Sequence, residues 1–539
     1  MRAKTLQSIR VCVLIALLTA ACTVCPWAEE SADGGKQPAF AVIPKPVEMT
    51  VPGGSFVLDN LITIAADSRC MNEAQYLADV LRSDAGIGPA IVSGMPKKGV
   101  IALEISNNRG LTGDEGYELT VDKDGIRIAA AERAGVFYGI QTLRQLIALS
   151  LIGAEHEKGS PVTVPCIFVR DKPRFPWRGL MIDCSRTFWR KELIGRYIDV
   201  LAYYKMNVLH LHLTDDQGWR VEIKKHPELT TVGSKFAARF NELPGRQGFY
   251  SQDDIREMVA YAASRHVTII PEIEMPGHSY AALAVYPGLS CTGEQFEIHP
   301  FFQGPGIHED VFCAGSDRVF DLLEDVLEEV IGLFPSDYIH IGGDECPKKR
   351  WENCAKCQAR MKAEGLKDEH ELQSYFVKRI EKFLLSKNRK LLGWDEILEG
   401  GLAESAAVMS WRGMEGGIAA ARAGHDVVMS PTSHCYFDYT YEKISTEKTY
   451  LFEPVPAGFT ADETRHILGP QANMWTHIAR TEPEMYAQIF PRLIALAEVG
   501  WTPKEAKKWN GFRNRLLPHC ERLDALSIAC FRDPSVWGE

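Results

Sequence analysis

From about residue 171 onward, short apolar runs alternate with longer stretches whose apolar residues recur every three to four positions, so strands and amphipathic helices are predicted in turn. The strand candidates are Gly179–Ser185, Asn207–Leu213, Val267–Glu274, Tyr338–Gly343, Lys390–Trp394, Ala407–Trp411, Asp426–Met429 and Ile467–Trp475. Helices are expected at Lys191–Lys205, Ser251–Arg265, Asp317–Phe334 and Asp368–Lys387. Ser251, with Asp254 three residues on, carries a capping-box start. Eight strand–helix alternations predict an α/β fold, a parallel (β/α)₈ TIM barrel spanning 171–539. Residues 40–168 are patterned differently. Phe56–Leu58 and Ile62–Ile64 read as short strands, and Glu73–Ser83 places Ala74, Leu77, Val80 and Leu81 on one helical face. Tyr117–Val121 and Ile126–Ile128 flank Asp124-Gly125, a hairpin signal, and Ala134–Leu149 reads as a second helix. This is a small α+β domain, and the segment Asp171–Trp177, with two prolines, marks its boundary with the barrel.

The N-terminus departs from both patterns. Arg2, Lys4 and Arg10 precede Val11–Ala21, an apolar run of eleven residues. That is short of the ~20 residues a spanning helix needs, so 1–28 reads as a secretory signal. Leu18–Cys22 resembles a bacterial lipobox with its Leu one position too far from the Cys, which leaves simple cleavage and lipidation at Cys22 both open. Lipid on Cys22 is the one membrane attachment the sequence offers. The expected location is outside the cytoplasm: periplasmic, outer-membrane lipoprotein or secreted. A net charge of -11 and the lack of any Lys/Arg block argue against nucleic acid as a partner. With 45% apolar and 24% charged residues the chain is ordinary globular protein, and 14 cysteines in 539 residues are too sparse for a disulfide scaffold.

In a (β/α)₈ barrel the chemistry gathers at the C-terminal ends of the strands. There the sequence places Asp183 and Arg186, then Asp215 and Asp216, then Glu272, Glu274 and His278, then Asp344 and Glu345. Further round come Trp394, Asp395 and Glu396, then Trp411 and Arg412, then Tyr436 and Asp438, then Trp475. Carboxylates supply proton transfer and hydroxyl recognition, and aromatic faces stack on the C–H surface of a sugar ring. Each piece alone has a plainer reading: Asp215-Asp216 as a loop cap, and His210 and His212, alternating with Leu, as filling of one barrel face. Their registration with strand ends favours a sugar site.

His340-Ile341-Gly342-Gly343-Asp344-Glu345, with Trp177-Arg178-Gly179-Leu180-Met181, Asn207-Val208-Leu209-His210-Leu211-His212 and the front domain's Gly135-Val136-Phe137-Tyr138-Gly139, resembles glycoside hydrolase family 20, the β-N-acetylhexosaminidases. The resemblance implies an exo-acting retaining enzyme in which the substrate's 2-acetamido oxygen attacks the anomeric carbon. It implies no cofactor and no metal, and a glycan substrate ending in a β-linked N-acetylhexosamine. By matching motif, Glu345 is the general acid and then the base, and Asp344 orients the acetamido N–H. Asp215 and His278 form a relay behind Glu345, and Tyr436 donates to the acetamido oxygen. Arg186 and Asp438 hold ring hydroxyls, and Trp394, Trp411 and Trp475 wall the acetamido pocket. A charged Asp344 is expected to keep its neighbour Glu345 protonated.

Two positions depart from the family pattern. Thr187 stands where His is usual, and His477 where a Glu usually grips the C4 or C6 hydroxyl. The gluco versus galacto preference therefore stays open. The sequence also admits a retaining glycosidase with Glu396 or Glu274 as protein nucleophile, and a non-catalytic glycan-binding barrel. Cys346, Cys354 and Cys357 invite a zinc reading, but a fourth ligand and a second Cys-x-x-Cys are missing. A disulfide or free thiols fit the cysteines better, and Cys291 and Cys313, in the loop after the third strand, are reasonable disulfide partners whose loop closure would be worth ~3 kcal/mol.

Overall fold

The computed structural model describes residues 40–94, 99–106, 113–151, 157–304 and 306–538. Residues 1–28, read above as a secretory signal, and Cys22 with them, lie outside the described residues. Pro38–Glu539 form one compact unit.

The barrel strands are Gly179–Asp183, Val208–His212, Thr268–Glu272, Tyr338–His340, Lys390–Trp394, Ala407–Ser410, Val427–Met429 and Ile467–Met474. They pair in parallel, each with the next and the last with the first, to close the sheet. All eight predicted strands are present, most ending a residue or more before the predicted limit. Among the trimmed residues, Glu274, Trp411 and Trp475 carry side chains that reach the mouth. The strands are buried on both faces because helices cover the outside and side chains, among them the polar His210, His212, Glu272 and His340, fill the inside. The helices Lys191–Tyr203, Gln252–Ala263, Asp317–Leu333 and Glu369–Ser386 turn their apolar stripes inward, and Ser251 and Asp254 form the expected reciprocal cap. Among the described residues no helix is long and apolar enough to cross a membrane.

Before the barrel, a seven-stranded mixed sheet runs in the spatial order Glu48–Thr50, Ile167–Asp171, Tyr117–Asp122, Gly125–Ala130, Val100–Ile105, Thr63–Ala66, Ala90–Ser93. The helices Met71–Ala85 and Arg133–Leu151 bury Leu77, Leu81, Val136, Phe137, Ile140 and Leu143 in the core that the sheet shares. The hairpin and both helices match expectation. Strands 48–50, 90–93, 100–105, 162–165 and 167–171 are additional to it.

The front sheet is fastened to the barrel by buried charge. The ammonium of Lys205, fully buried, lies 3.0 Å from Asp171 Oδ2 and donates to Tyr117 Oη at 2.8 Å. Trp501 Nε1 donates to the other oxygen of Asp171 at 2.9 Å, and Arg178, at the root of the first barrel strand, reaches Glu115 at 2.7 Å. Breaking one partner of such a pair leaves an uncompensated buried charge, at a cost of ~3–5 kcal/mol.

Candidate active site

The mouth is organised by the turn that follows the fourth strand. Gly342 and Gly343 both have positive φ, at 68° and 92°. A Cβ at Gly342 would stand 1.7 Å from Glu274 Oε2, and one at Gly343 would stand 2.7 Å from Ile397 Cγ2. Only glycine fits this backbone and this space. The turn delivers Asp344, buried with an unpartnered Oδ1, and Glu345, whose side chain is 38% exposed, into the mouth.

Behind them runs a line of proton-bearing groups. His278 sends Nε2 toward both acids, 3.4 Å from Glu345 Oε2 and 3.6 Å from Asp344 Oδ2. Its Nδ1 lies 3.3 Å from Asp215 Oδ1 and 3.2 Å from Asp216 Oδ2. Burial alone would lower the His278 pKa, but Asp215, Asp216 and Glu345 overcome it and raise it well above the usual range. The ring is an imidazolium that donates from both nitrogens. Asp215 is also held by His212 Nε2 at 2.7 Å and Arg186 Nη2 at 2.7 Å. Burial would raise its pKa, yet Arg186 and His278 hold it far below the carboxylate range.

Arg186 is anchored on three sides. Nε donates to Gln217 Oε1 at 3.0 Å, Nη2 meets Asp215, and the guanidinium lies 4.8 Å from the Trp475 ring centroid. Its buried Nη1 has no hydrogen-bond partner, though Asp183 Oδ2 stands 3.5 Å away. The fork is pre-set with one donor to spare.

The opposite wall is aromatic. Trp394 and Trp475 lie 5.9 Å apart by ring centroid, Trp411 stacks on Tyr436 at 6.0 Å and 23°, and Tyr436 is 6.4 Å from Trp475. Trp411 Nε1 is fixed by Glu396 Oε2 at 2.8 Å. Asp438, with a buried unpartnered Oδ1, is raised by burial to about 7. His477 is half-buried against Phe301, 4.8 Å between rings, and burial followed by Arg186 lowers its pKa, so its imidazole is neutral at pH 7.

Beneath the mouth, the two histidines that alternate with Leu do share one barrel face. Glu272 accepts from Trp394 Nε1 at 2.8 Å and pairs with His212 Nδ1, while His210 Nε2 stands 3.1 Å from it and His340 Nδ1, which accepts from Gly342 N–H, stands 2.8 Å from it. His210 is pushed down to about 4 by burial, against the pull of Glu272. His212 rises to about 10 because Glu272 and Asp215 outweigh its burial. The cluster is a buried polar floor in which His210 Nε2 and His340 Nε2 make no hydrogen bond.

All eleven residues singled out from the sequence lie around this mouth. The charge arrangement differs from expectation. Glu345 is lowered, first by its hydrogen bond to His278, whereas Asp344 is raised to about 6, first by burial. His278, not Asp344, dominates the proton on Glu345 in the free site. Glu274 and Glu396 are raised too, Glu274 well above the usual range and Glu396 to about 8, in both cases first by burial and then by Asp344. Thr187 is 1% exposed and does not face the mouth. Its hydroxyl donates to Thr476 O at 3.1 Å and accepts from Arg246 Nη2 at 3.0 Å, bracing the loop that carries His477. Gln217, His212 and Phe301 belong to the site and were not in the expected set. Asp183, Asp216 and Glu272 were noted only as strand-end carboxylates. Gln217 sits in an unpredicted hairpin, Thr214–Asp215 with Gly218–Trp219, too short to show a period.

Of the two readings left open, disulfide or free thiols, the second holds: Cys291 and Cys313 are free thiols. Cys346 lies apart, packed against Gly277, and the remaining thiols gather differently, as described below.

A closed parallel barrel whose mouth holds an acid pair, an imidazolium relay and a Trp/Tyr wall is the architecture of a carbohydrate-active protein. The chain belongs to glycosyl hydrolase family 20: residues 175–504 match the model of that family's catalytic domain and residues 39–172 match its domain 2. It is 45% identical over 503 residues to a beta-hexosaminidase of Porphyromonas gingivalis, covering 90% of this chain and 64% of that protein, so the chain spans under two thirds of that relative's length. It is 31% identical to a beta-N-acetylhexosaminidase of Cellulomonas fimi, across 93% of this chain and 97% of that one. The solved structure of the GH20 exo beta-N-acetylglucosaminidase of Vibrio harveyi in complex with N-acetylglucosamine superposes with a TM-score of 0.81 at 31% identity, covering 93% of this chain and 80% of that one. The Streptomyces coelicolor beta-N-acetylhexosaminidase superposes with a TM-score of 0.79 at 31% identity, covering 93% and 99%.

Proposed function

We propose that this protein is an exo-acting retaining β-N-acetylhexosaminidase working by substrate assistance. The carrying observation is the burial of the two other candidate carboxyls, Glu274 under the turn and Glu396 held by Trp411 Nε1. A protein-nucleophile mechanism needs an anionic carboxylate free to attack carbon. Glu274 and Glu396, the candidates, are both raised well above the carboxylate range, and Glu396 is further tied to Trp411. Burial disfavours the anion at both, so neither is set up to attack carbon. The attacking oxygen then comes from the substrate's own acetamido group.

Asp344 and Tyr436 supply what that nucleophile requires. The open Oδ1 of Asp344 accepts the acetamido N–H, and the Tyr436 hydroxyl, kept protonated first by burial, donates to the acetamido C=O. The carbonyl oxygen closes on the anomeric carbon as the glycosidic C–O bond breaks, and Glu345 gives its proton to the departing oxygen. A sugar over the mouth strips water from Glu345 and favours its neutral form. The imidazolium of His278 stands ready to share its proton along the same hydrogen bond. In the second half Glu345 takes a proton from water, which opens the oxazolinium ring with net retention. Arg186, with its spare N–H, grips ring hydroxyls of the terminal residue. A glycan-binding barrel without turnover has no use for an imidazolium wired to an exposed Glu345.

The test is hydrolysis of nitrophenyl β-GlcNAc, β-GalNAc and β-glucoside side by side, with inhibition by a thiazoline mimic of the oxazolinium. Cleavage of either acetamido sugar with thiazoline inhibition is expected. A trapped glycosyl ester on Glu274 or Glu396 would refute the reading.

A further inference from the structure

Away from the mouth, four thiols from two loops meet. Cys291 and Cys313 come from the loop after the third barrel strand, and Cys354 and Cys357 from the segment after the fourth. The four Sγ atoms all lie within 4.8 Å of one another. Three of the contacts are nearly equal: 3.8 Å for Cys291–Cys357, 3.7 Å for Cys313–Cys354 and 3.6 Å for Cys313–Cys357. Cys313 and Cys357 are fully buried, Cys354 is 8% exposed, and Cys291 is half-buried. Among the described residues no other site brings more than two thiols together.

The spacing carries a chemical signature. A tetrahedral ion with metal–sulfur bonds of ~2.3 Å sets its sulfurs about 3.8 Å apart along every edge. Two disulfides would instead draw the sulfurs into pairs ~2.05 Å apart. Here Cys313 touches both Cys354 and Cys357, and Cys357 touches both Cys291 and Cys313, a shared arrangement that pairing does not produce.

The backbone is built round the same point. Ser290 and Phe312 form an antiparallel bridge, and Cys313 N donates to Leu289 O at 2.9 Å, which brings the two ends of the first loop together. Cys354 is the N-cap of the helix Ala355–Glu364 and Cys357 lies in its first turn, where the helix dipole favours thiolates. Gly315 fits against this turn so closely that a Cβ would stand 2.4 Å from Cys357 N, and its own N–H faces the sulfurs of Cys313 and Cys357. Amide donors to coordinating sulfur are the usual outer support of such sites.

We propose that Cys291, Cys313, Cys354 and Cys357 bind one tetrahedral zinc ion, as a structural clasp between the two loops. Binding releases the four thiol protons to solvent and makes four Zn–S bonds with no change of oxidation state. A closed four-thiolate set keeps no open position, so the ion takes no part in hydrolysis. Its position gives it an effect. The first loop also carries His278, and the second segment begins at Asp344 and Glu345. Between clasp and mouth the loops are joined by Trp351 Nε1 donating to Phe312 O at 3.0 Å and by Arg350 with Asp310 at 3.0 Å. The clasp holds the imidazolium and the acids in one frame.

The full chain, expressed with zinc chloride in the medium and purified without chelator, is assayed by metal analysis and by alkylation mapping in denaturant without reductant. One zinc per chain is expected, with all four cysteines alkylated once the ion is chelated. Cys291→Ser and Cys354→Ser should fall to background zinc, while Cys346→Ser keeps one equivalent. Should the serine variants fail to fold, the wild type answers alone: chelation should lower Tm, and zinc chloride should restore it. A metal-free protein whose four cysteines are disulfide-linked or simply free would overturn the site, as would unchanged zinc in Cys354→Ser. The hexosaminidase reading stands or falls separately, on the nitrophenyl substrates.

Discussion

Replacing Asp344 by Asn separates charge from shape at the position where substrate assistance makes its sharpest demand. In the free site the carboxyl is raised from its usual 3.8 to about 6. Burial is the first cause, and the neighbouring anions Glu272, Glu345 and Asp215 add to it against His278. That shift corresponds to about 3 kcal/mol by which the free site, His278 included, disfavours the anion. An oxazolinium forming against Oδ1 supplies positive charge in a buried pocket. The disfavoured anion is then stabilised in the transition state more than in the ground state. Asn keeps the volume and an acceptor but cannot respond to the charge, so kcat on nitrophenyl β-GlcNAc should fall by ~10²-fold or more with KM little changed. The wild type should be essentially inert on nitrophenyl β-glucoside, which lacks the attacking atom. The assay is steady-state kinetics of both proteins on both glycosides. A loss confined to KM, or a wild-type kcat on the glucoside comparable to that on the acetamido sugar, would refute the reasoning.

Glu345→Gln should lose ~10²–10⁴-fold on a natural disaccharide and far less on substrates with very good leaving groups; equal losses on both would mean that Glu345 does not act on the leaving oxygen. Because Asp344 is raised to about 6 and works as an anion, kcat/KM should fall as pH drops through that value. The limb should vanish from the residual activity of Asp344→Asn, and an unchanged limb would assign it to another group. Gly342→Ala adds a Cβ 1.7 Å from Glu274 Oε2 at a φ of 68°. Strain of roughly 1–2 kcal/mol and overpacking of roughly 1–3 kcal/mol should lower Tm, and a shift of the turn by ~1 Å should cost ~10²-fold in kcat. Wild-type values of both would show that Glu274 simply swings aside. The neutral His477 offers one donor and one acceptor where a carboxylate only accepts, so β-GlcNAc and β-GalNAc should both be cleaved. A strong preference for either sugar, unchanged in His477→Glu, would remove this position from the choice.

What the sequence determined by itself is the part written in local pattern. Barrel strands are buried on both faces, so Ala407–Ser410 and Val427–Met429 read as short, nearly continuous apolar runs bounded by polar helical stretches. The His-x-Gly-Gly-Asp-Glu run is local too, because one turn must satisfy both positive φ and the space under Glu274. The front sheet was half legible. Ala90–Ser93 is a mostly exposed strand with little burial to pattern it, and Val100–Ile105 is fixed by neighbours distant in the chain. Two things were decided only by the tertiary structure, and both concern groups whose neighbours are far away in sequence. Which acid carries a raised pKa depends on His278 and Asp215 reaching Glu345 and on Glu272 lying near Asp344, and the closed barrel alone makes those distances. The four thiols span residues 291 to 357, and only the docking of one loop on another brings Cys291 to Cys357 and leaves Cys346 behind. Spacing along a chain records local geometry, whereas electrostatics and metal coordination act through space, which is why those two outcomes waited for the fold.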